Sequence, residues 1–298
     1  MAHLRVRTLG KLHLRNGEKR LEHFPTKRAE ELLGYLLINQ QAQLPREKLV
    51  ELLWPDNPPS NGRANLSTTL WRLRTVFDQL NAPAADYLNT SRDWIAFSPN
   101  QPVTLDHTDF EKYLDKAEEA DSDSAVETNL RTAIALYRGG FCEGIYAEWC
   151  LVERERLARR FLKALGRLMA LHMSREEFRQ AVTLGKEILN RDHLREEVHR
   201  ALMHCYWQLG QRAESVRQFQ SCARLLQREL NVLPMPETIN LYRTIIEERI
   251  SDYSSDGPVA SVYQERLDAA FENFLTAADE LNSVIEETSR SPEPAASF

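Results

Sequence analysis

The chain has 298 residues, of which 42% are hydrophobic and 28% charged, and its formal net charge at pH 7 is −6. That length predicts two domains, or three, and the composition is that of a chain able to bury a core. No apolar run approaches the roughly 18–20 residues needed to cross a bilayer. The N-terminal MAHLRVRTLG lacks the apolar core of a signal peptide, and four cysteines are too few for a disulfide scaffold. The sequence therefore reads as cytoplasmic, with reduced thiols and no membrane partner.

Charge is spread unevenly. Residues 1–100 carry 14 Lys/Arg and 10 Asp/Glu, whereas residues 251–298 carry 2 and 10. A mildly basic head on an acidic body can dock to phosphate.

Residues 1–105 open with two alternating stretches, LRVRTLG and KLHLRNG, each ending near Gly, which predict strands. A third short strand is expected over Lys19–Phe24. The period then changes. Thr26 caps a helix through Leu32, Leu33, Leu36 and Leu37. A second helix is expected over Pro45–Trp54, with Pro45 in its first turn and Leu49, Leu52 and Leu53 on its apolar face. Pro55–Gly62 reads as a loop, and a third helix follows over Arg63–Leu80. Tyr87–Asn89 and Asp93–Phe97 form a terminal hairpin turning at Thr90–Arg92. Strands, three helices and a hairpin are the plan of a winged helix-turn-helix.

The third helix has two faces. Leu66, Leu70, Leu73 and Phe77 recur at core spacing. The opposite face carries Asn65, Thr68, Trp71, Arg72 and Thr75, with Arg63, Ser67 and Arg74 on the flanks. No acid occurs from Arg63 to Phe77. Such a face suits a major groove, where carboxylates would meet phosphates. A merely solvated face usually carries Glu and would not expose Trp71.

Residues 106–250 show almost no strand signal and dense helical periodicity. Leu168-Met169 recurs as Leu202-Met203, and Ala181-Val182 as Ser215-Val216, both after 34 residues. That is the period of tetratricopeptide-type hairpins, so six to eight helices are expected in an antiparallel stack, with the small residues Ala181 and Ser215 where helices approach closely. Residues 251–298 read as a linker at Ser251–Pro258, an acidic amphipathic helix marked by Leu267, Phe271, Phe274, Ala278, Leu281 and Ile285, and a disordered tail. The helix is expected to cap the stack's open end or to form a homodimer. The fold class is thus mostly α: an N-terminal winged helix-turn-helix (1–105, α+β), an all-α tetratricopeptide-like repeat domain (106–250) and a C-terminal amphipathic helix (251–298).

These residues resemble the SARP-type bacterial regulators, which join an OmpR-like winged helix to a bacterial transcriptional activator domain. ELLWPDNPPSNGRANLSTTLWRLRTVF resembles the family's second helix, loop and recognition helix, through Leu53-Trp54-Pro55, Pro58-Pro59, Arg63 and the Leu-x-Arg-Leu-Arg pattern ending at Arg74. VTLDHTDFEKYL, with Asp106 and Phe110, resembles the joint into the activator domain. ALYRGGFCEG and the Trp149 beyond it resemble that domain's start, at Leu136, Tyr137, Gly139 and Phe141. Its repeats are matched by REEVHRALMHCYWQLGQRAESVRQFQ and by the Glu-Leu-x-x-x-Pro-x-Pro-Glu-Thr pattern at Glu229–Thr238. Two positions depart from the pattern. Trp71 stands where a small polar residue is common, and Asp93-Trp94 where the wing reads Gly-Tyr.

The resemblance implies sequence-specific binding of double-stranded promoter DNA, often at direct repeats, and recruitment of RNA polymerase. It places Arg63, Thr68, Arg72 and Arg74 in or beside the groove, with Asn65, Ser67 and Thr75 as lesser choices. Lys27 and Arg28, and Ser91 and Arg92 in the wing, fall where backbone phosphates could be met.

The eleven glycines form no phosphate-binding loop, and no G-x-S-x-G or H-E-x-x-H occurs, so neither an enzyme nor a cofactor is expected. His199, His204 and Cys205 share a helix but not a face, which argues against a metal. Cys142 and Cys150 are redox candidates only if exposed, and are otherwise core filler. Glu176-Glu177 and Glu196-Glu197 read as solvated helix faces. The competing reading is a signalling adaptor whose repeat domain grips a peptide or small-molecule effector, with the head as an interaction module.

Overall fold

Leu4–Arg7 (β1) and His13–Asn16 (β2) pair antiparallel, and the alternation of their residues puts Leu4, Val6 and Leu14 in the core. The computed structural model describes residues 3–21 and 23–253, without the side chains of Pro59 and 249–253. Gly17, at φ +59, turns the chain into Lys19–Arg20 (β3). This third strand is shorter than the expected Lys19–Phe24. Leu21 N–H still donates to Leu14 O (3.0 Å), but the chain then leaves the sheet to bring Thr26 to the start of a helix.

That helix, Lys27–Ile38 (α1), begins with the Thr26 side chain accepting from Ala29 N–H, and buries Leu32, Leu33, Leu36 and Leu37. The second helix corrects the sequence reading. Pro45 is not in its first turn but pairs with Trp94 in a two-residue strand, Leu44–Pro45 (β4), and Arg46–Leu53 (α2) follows. A short strand pair tolerates Pro because it needs few N–H donors. The expected Pro55–Gly62 loop is also too long. The third helix runs from Pro59 to Gln79 (α3), four residues earlier than read. Pro59 sits at its first position, where a fixed φ suits the helix and the missing N–H would find no partner anyway.

Leu88–Thr90 (β5) and Trp94–Phe97 (β6) form the expected hairpin, and with β4 make a three-stranded sheet in the order β4-β6-β5. Val103–Leu105 (β7) lies parallel to β1, which completes a sheet in the order β3-β2-β1-β7. Neither this parallel pairing nor β4 is visible in the periodicity, since three- and two-residue strands carry too little alternation.

Residues beyond β7 form seven helices among the described residues: Asp106–Glu118 (α4), Asp123–Leu136 (α5), Glu148–Ser174 (α6), Phe178–Leu189 (α7), Glu196–Gln208 (α8), Arg212–Leu230 (α9) and Pro236–Tyr253 (α10). Helix α10 takes in Ser251–Tyr253, which the sequence assigned to a linker. The expected amphipathic helix and tail beyond it lie outside the described residues. No described helix is long and apolar enough to cross a membrane.

The chain divides into two compact units, Met1–Leu168 and Met169–Phe298, with the boundary inside α6. In the first unit the head is joined to α4 by a buried carboxylate. Asp106 Oδ1 accepts from Thr8 N–H (2.7 Å), from the Thr8 hydroxyl (2.7 Å) and from its neighbour His107 N–H (2.9 Å), while Oδ2 accepts from Leu9 N–H (3.0 Å). Beside it, Leu9 bridges to Phe141, Cys142 N–H donates to Thr8 O (2.7 Å), and Gly10 N–H donates to Gly140 O (2.9 Å). Arg154 holds the 141–145 turn through Phe141 O, Cys142 O and Ile145 O at 2.8–2.9 Å.

In the second unit the 34-residue repeat has a packing meaning. Met169, Leu202, Met203, Ala181 and Ser215 are all buried, and the Ser215 hydroxyl donates to Met203 O (2.8 Å). Phe219 stacks on Tyr242 at 4.0 Å in a cluster with Met203, Ile239 and Ile245.

Replacing Asp106 with Ala leaves the Thr8 and Leu9 N–H groups buried without an acceptor. The expected cost is about 3 kcal/mol, read as a lower urea midpoint. An unchanged midpoint would remove Asp106 from its role as the joint.

Candidate nucleic-acid interface

Helix α3 is held from three sides. Gly62 lets it cross α2 closely, because a Cβ there would lie 2.3 Å from Val50 Cγ1. Leu66, Leu70, Leu73 and Phe77 are buried as expected, and so are Gly62, Thr69 and Val76. At its C-terminal end, Asn16 Nδ2 donates to Leu80 O (3.0 Å) and Asn81 O (3.1 Å).

The wider core stripe turns the outer face from where the sequence put it. Arg63, Ala64, Ser67, Thr68, Trp71 and Arg74 are exposed, whereas Asn65, Arg72 and Thr75 are half-buried. The residues read as flanks, Arg63, Ser67 and Arg74, thus stand nearer the centre of the outer face than Asn65 and Arg72. Thr69 and Val76 explain the difference: both are buried on the side next to Asn65 and Arg72, and neither belongs to the leucine spacing.

Local hydrogen bonds set what this face offers. Ser67 donates to Arg63 O (2.9 Å), Thr68 to Ala64 O (3.1 Å) and Thr75 to Trp71 O (3.2 Å). Arg63 pairs with Glu47 of α2 at 3.2 Å, with both side chains more than 60% exposed. A pair so open to water is worth about 0–1 kcal/mol, so a phosphate can replace the carboxylate at small cost. Arg74 donates to Thr90 Oγ1 (3.0 Å), which ties α3 to the wing strand β5.

The wing turn is built around Ser91. Its hydroxyl accepts from Asp93 N–H (3.1 Å) and Trp94 N–H (3.0 Å), so this side chain shapes the turn instead of standing free for phosphate. Arg92 is exposed beside it. Arg46, absent from the sequence-based list, braces the turn: its N–H donates to Asp93 O (2.9 Å) and its Nε to Ser91 O (3.0 Å). The available signal was its position directly after Pro45, at the foot of α2.

Arg63, Ser67, Thr68, Arg74, Ser91 and Arg92 therefore belong to one connected scaffold of α2, α3 and wing. Lys27 and Arg28 have another setting. Arg28 pairs with the largely buried Glu31 (2.7 Å), and both cations line a groove of about 960 Å³ with Glu30, Glu51, Tyr146 and Trp149.

The four thiols are buried. Burial pushes Cys142 well above its ordinary range, Cys150 and Cys205 to about 11, and Cys222 to about 12. Both ring nitrogens of His199 have partners: Nε2 donates to His193 O (2.9 Å) and Nδ1 accepts from Gln218 (2.6 Å). Burial holds this imidazole below its usual value.

A winged helix whose last strand leads directly into helical repeats is the architecture that the chain's resemblance to SARP-type regulators implies. Residues 105–246 match the bacterial transcriptional activator domain, and the winged helix before it gives the domain order of the SARP-type regulators that the chain resembles. It is 26% identical over 284 residues to regulatory protein AfsR of Streptomyces coelicolor, covering 92% of this chain and 28% of that protein. To the regulatory protein AfsR of Streptomyces griseus it is 25% identical over 247 residues, covering 82% and 24%. The chain thus spans about a quarter of the length of these curated relatives. Among solved structures, its fold is similar to that of Mycobacterium tuberculosis EmbR in complex with low affinity phosphopeptide. There the TM-score is 0.68 at 16% identity, over 93% of this chain and 72% of that one.

Two outcomes follow from this packing. Gly62→Ala is expected to destabilise the head by about 1–3 kcal/mol through overpacking, and Val50→Ala in the same chain is expected to restore part of the loss; equal melting of native and single variant would dismiss the close crossing. In native protein at pH 8, all four thiols should react with a disulfide reagent far more slowly than a free thiol, and all at once in denaturant. One fast thiol in the native state would contradict their burial.

Proposed function

We propose that this chain is a non-catalytic, cytoplasmic transcriptional regulator that binds promoter DNA in a sequence-specific way and activates transcription by contacting RNA polymerase. One observation carries the reading: the outer face of α3 is free of acids from Arg63 to Phe77 and is locked to the wing through Arg74 and Thr90. A helix entering a major groove needs such a face, and its angle to the backbone must be fixed for base contacts to register.

In this reading Arg63, Ser67, Thr68 and Arg74 meet the groove or its edges. Arg72, Asn65 and Thr75 stand at one side of it, and Arg92 meets phosphate from the wing. Ser91 and Arg46 act by shaping that wing. Lys27 and Arg28 lie outside the interface, because carboxylates share their groove. Direct repeats would seat two copies of the chain side by side. The activity needs no cofactor.

The test is enrichment of randomised duplex DNA on the full chain, beside an Arg72→Ala/Arg74→Ala double variant. The native chain is expected to recover a short direct repeat and the variant to lose it. A lost base contact should cost about 1–3 kcal/mol at one position, while each lost phosphate contact should flatten the salt dependence of log K by about 0.9. Failure of the native chain to enrich any sequence would instead favour an adaptor whose repeats grip an effector.

A further inference from the structure

Trp71 is 63% exposed at the middle of the outer face of α3. Exposing an indole forgoes a large burial free energy, and exposed aromatics of this kind concentrate where a partner will cover them. The residues around Trp71 narrow what that partner presents. Of its four neighbours on the helix surface, Ser67, Thr68 and Thr75 turn their hydroxyls back onto carbonyls one turn earlier. The fourth, Arg74, reaches Thr90. With their protons so engaged, these hydroxyls offer a partner no donor, and the exposed Ala64 adds a methyl group. The centre of the face is therefore dominated by the indole and poor in donors, with guanidinium groups towards its ends at Arg63 and Arg74.

Base edges in a major groove carry donors, acceptors and one apolar feature, the C5-methyl of thymine. An exposed indole in a donor-poor patch bounded by cations matches a thymine whose flanking phosphates or guanines meet the arginines. Resting on the reading of α3 as the helix that enters the groove, we infer that Trp71 is a specificity-determining residue, packing its indole against a thymine methyl group of the operator. Its contribution is apolar, so it selects sequence without adding to the electrostatic attraction that all duplexes share.

The experiment starts from the duplex that the native chain enriches, with each thymine replaced in turn by deoxyuridine, which removes only the methyl. At one or two positions the native chain should lose roughly fourfold in affinity, the worth of one buried methyl. Trp71→Ala should be insensitive at those same positions, and should bind arbitrary duplex with the native salt slope. Trp71→Phe, which keeps an aromatic face but no indole N–H, should retain the sensitivity. Because Trp71 is exposed, the variants should melt with the native chain, which separates this effect from misfolding. The inference is overturned if Trp71→Ala selects the native sequence, or if deoxyuridine weakens native chain and variant alike. It is also overturned if the variant loses polymerase contact while its DNA selectivity stays native. A native chain that enriches no sequence removes the groove-reading helix itself, and the inference with it.

Discussion

A single buried carboxylate, that of Asp106, joins the winged head to the helices that follow. Its two oxygens accept from the backbone of Thr8 and Leu9, from the Thr8 hydroxyl and from His107 N–H. A carboxylate out of water is costly unless its lone pairs are satisfied, and four donors do this here. The same four donors fix β1, β7 and the start of α4 at one point. His107 packs beside the cluster, with its imidazole held below its usual value by burial, and its ring meets Phe141 edge-on at 5.6 Å. The joint is polar at its centre and apolar around it, which gives it direction as well as strength.

This joint explains why the ALYRGGFCEG stretch has the residues it has. Gly139 and Gly140 lie where a Cβ would meet Glu143 Oε1 at 2.4 Å and Arg154 Cδ at 2.9 Å. Phe141 is fully buried and bridges to Leu9, and Arg154 occupies the carbonyls that the tight turn leaves over. Trp149 packs edge-on against Tyr35 at 5.2 Å, over Gly34 of α1. The motif is therefore a docking device: it lays the beginning of the activator domain on the back of the head. Helix α3 is braced separately, by Val50, Asn16 and Thr90.

The parts of this architecture legible in the sequence are those that repeat or alternate over many residues. The Thr26 cap, the leucine stripe of α1, the buried face of α3 and the 34-residue recurrence of Ala181 and Ser215 each leave a pattern longer than one turn. The parts that were hidden are decided by tertiary partners. Leu44–Pro45 becomes a strand because Trp94 pairs with it, and Val103–Leu105 because β1 is free on that side. The start of α3 at Pro59 was obscured by prolines that read as loop, although proline favours a helix's first position. The orientation of α3's outer face was missed by a fraction of a turn, because Thr69 and Val76 are buried against the strength of the leucine signal. Ser91 read as a place where a backbone phosphate could be met, whereas its hydroxyl accepts from two backbone N–H groups of the turn.

The outer face of α3 combines a stiff base with weakly committed ends. Its hydroxyls have given their protons to the helix itself, so towards a partner they can only accept. The Arg63–Glu47 pair is open to water and easily exchanged, while Arg74 has a neutral partner in Thr90 that leaves its charge uncompensated. In the proposed function, charge at the ends supplies attraction to any duplex, and the tie to the wing sets orientation. At the centre, where the hydroxyl protons are turned inward, the exposed Trp71 indole is the largest feature. In that reading, discrimination draws on shape and methyl groups as well as on paired donors and acceptors. That division of labour is set by which hydroxyls the backbone has already claimed.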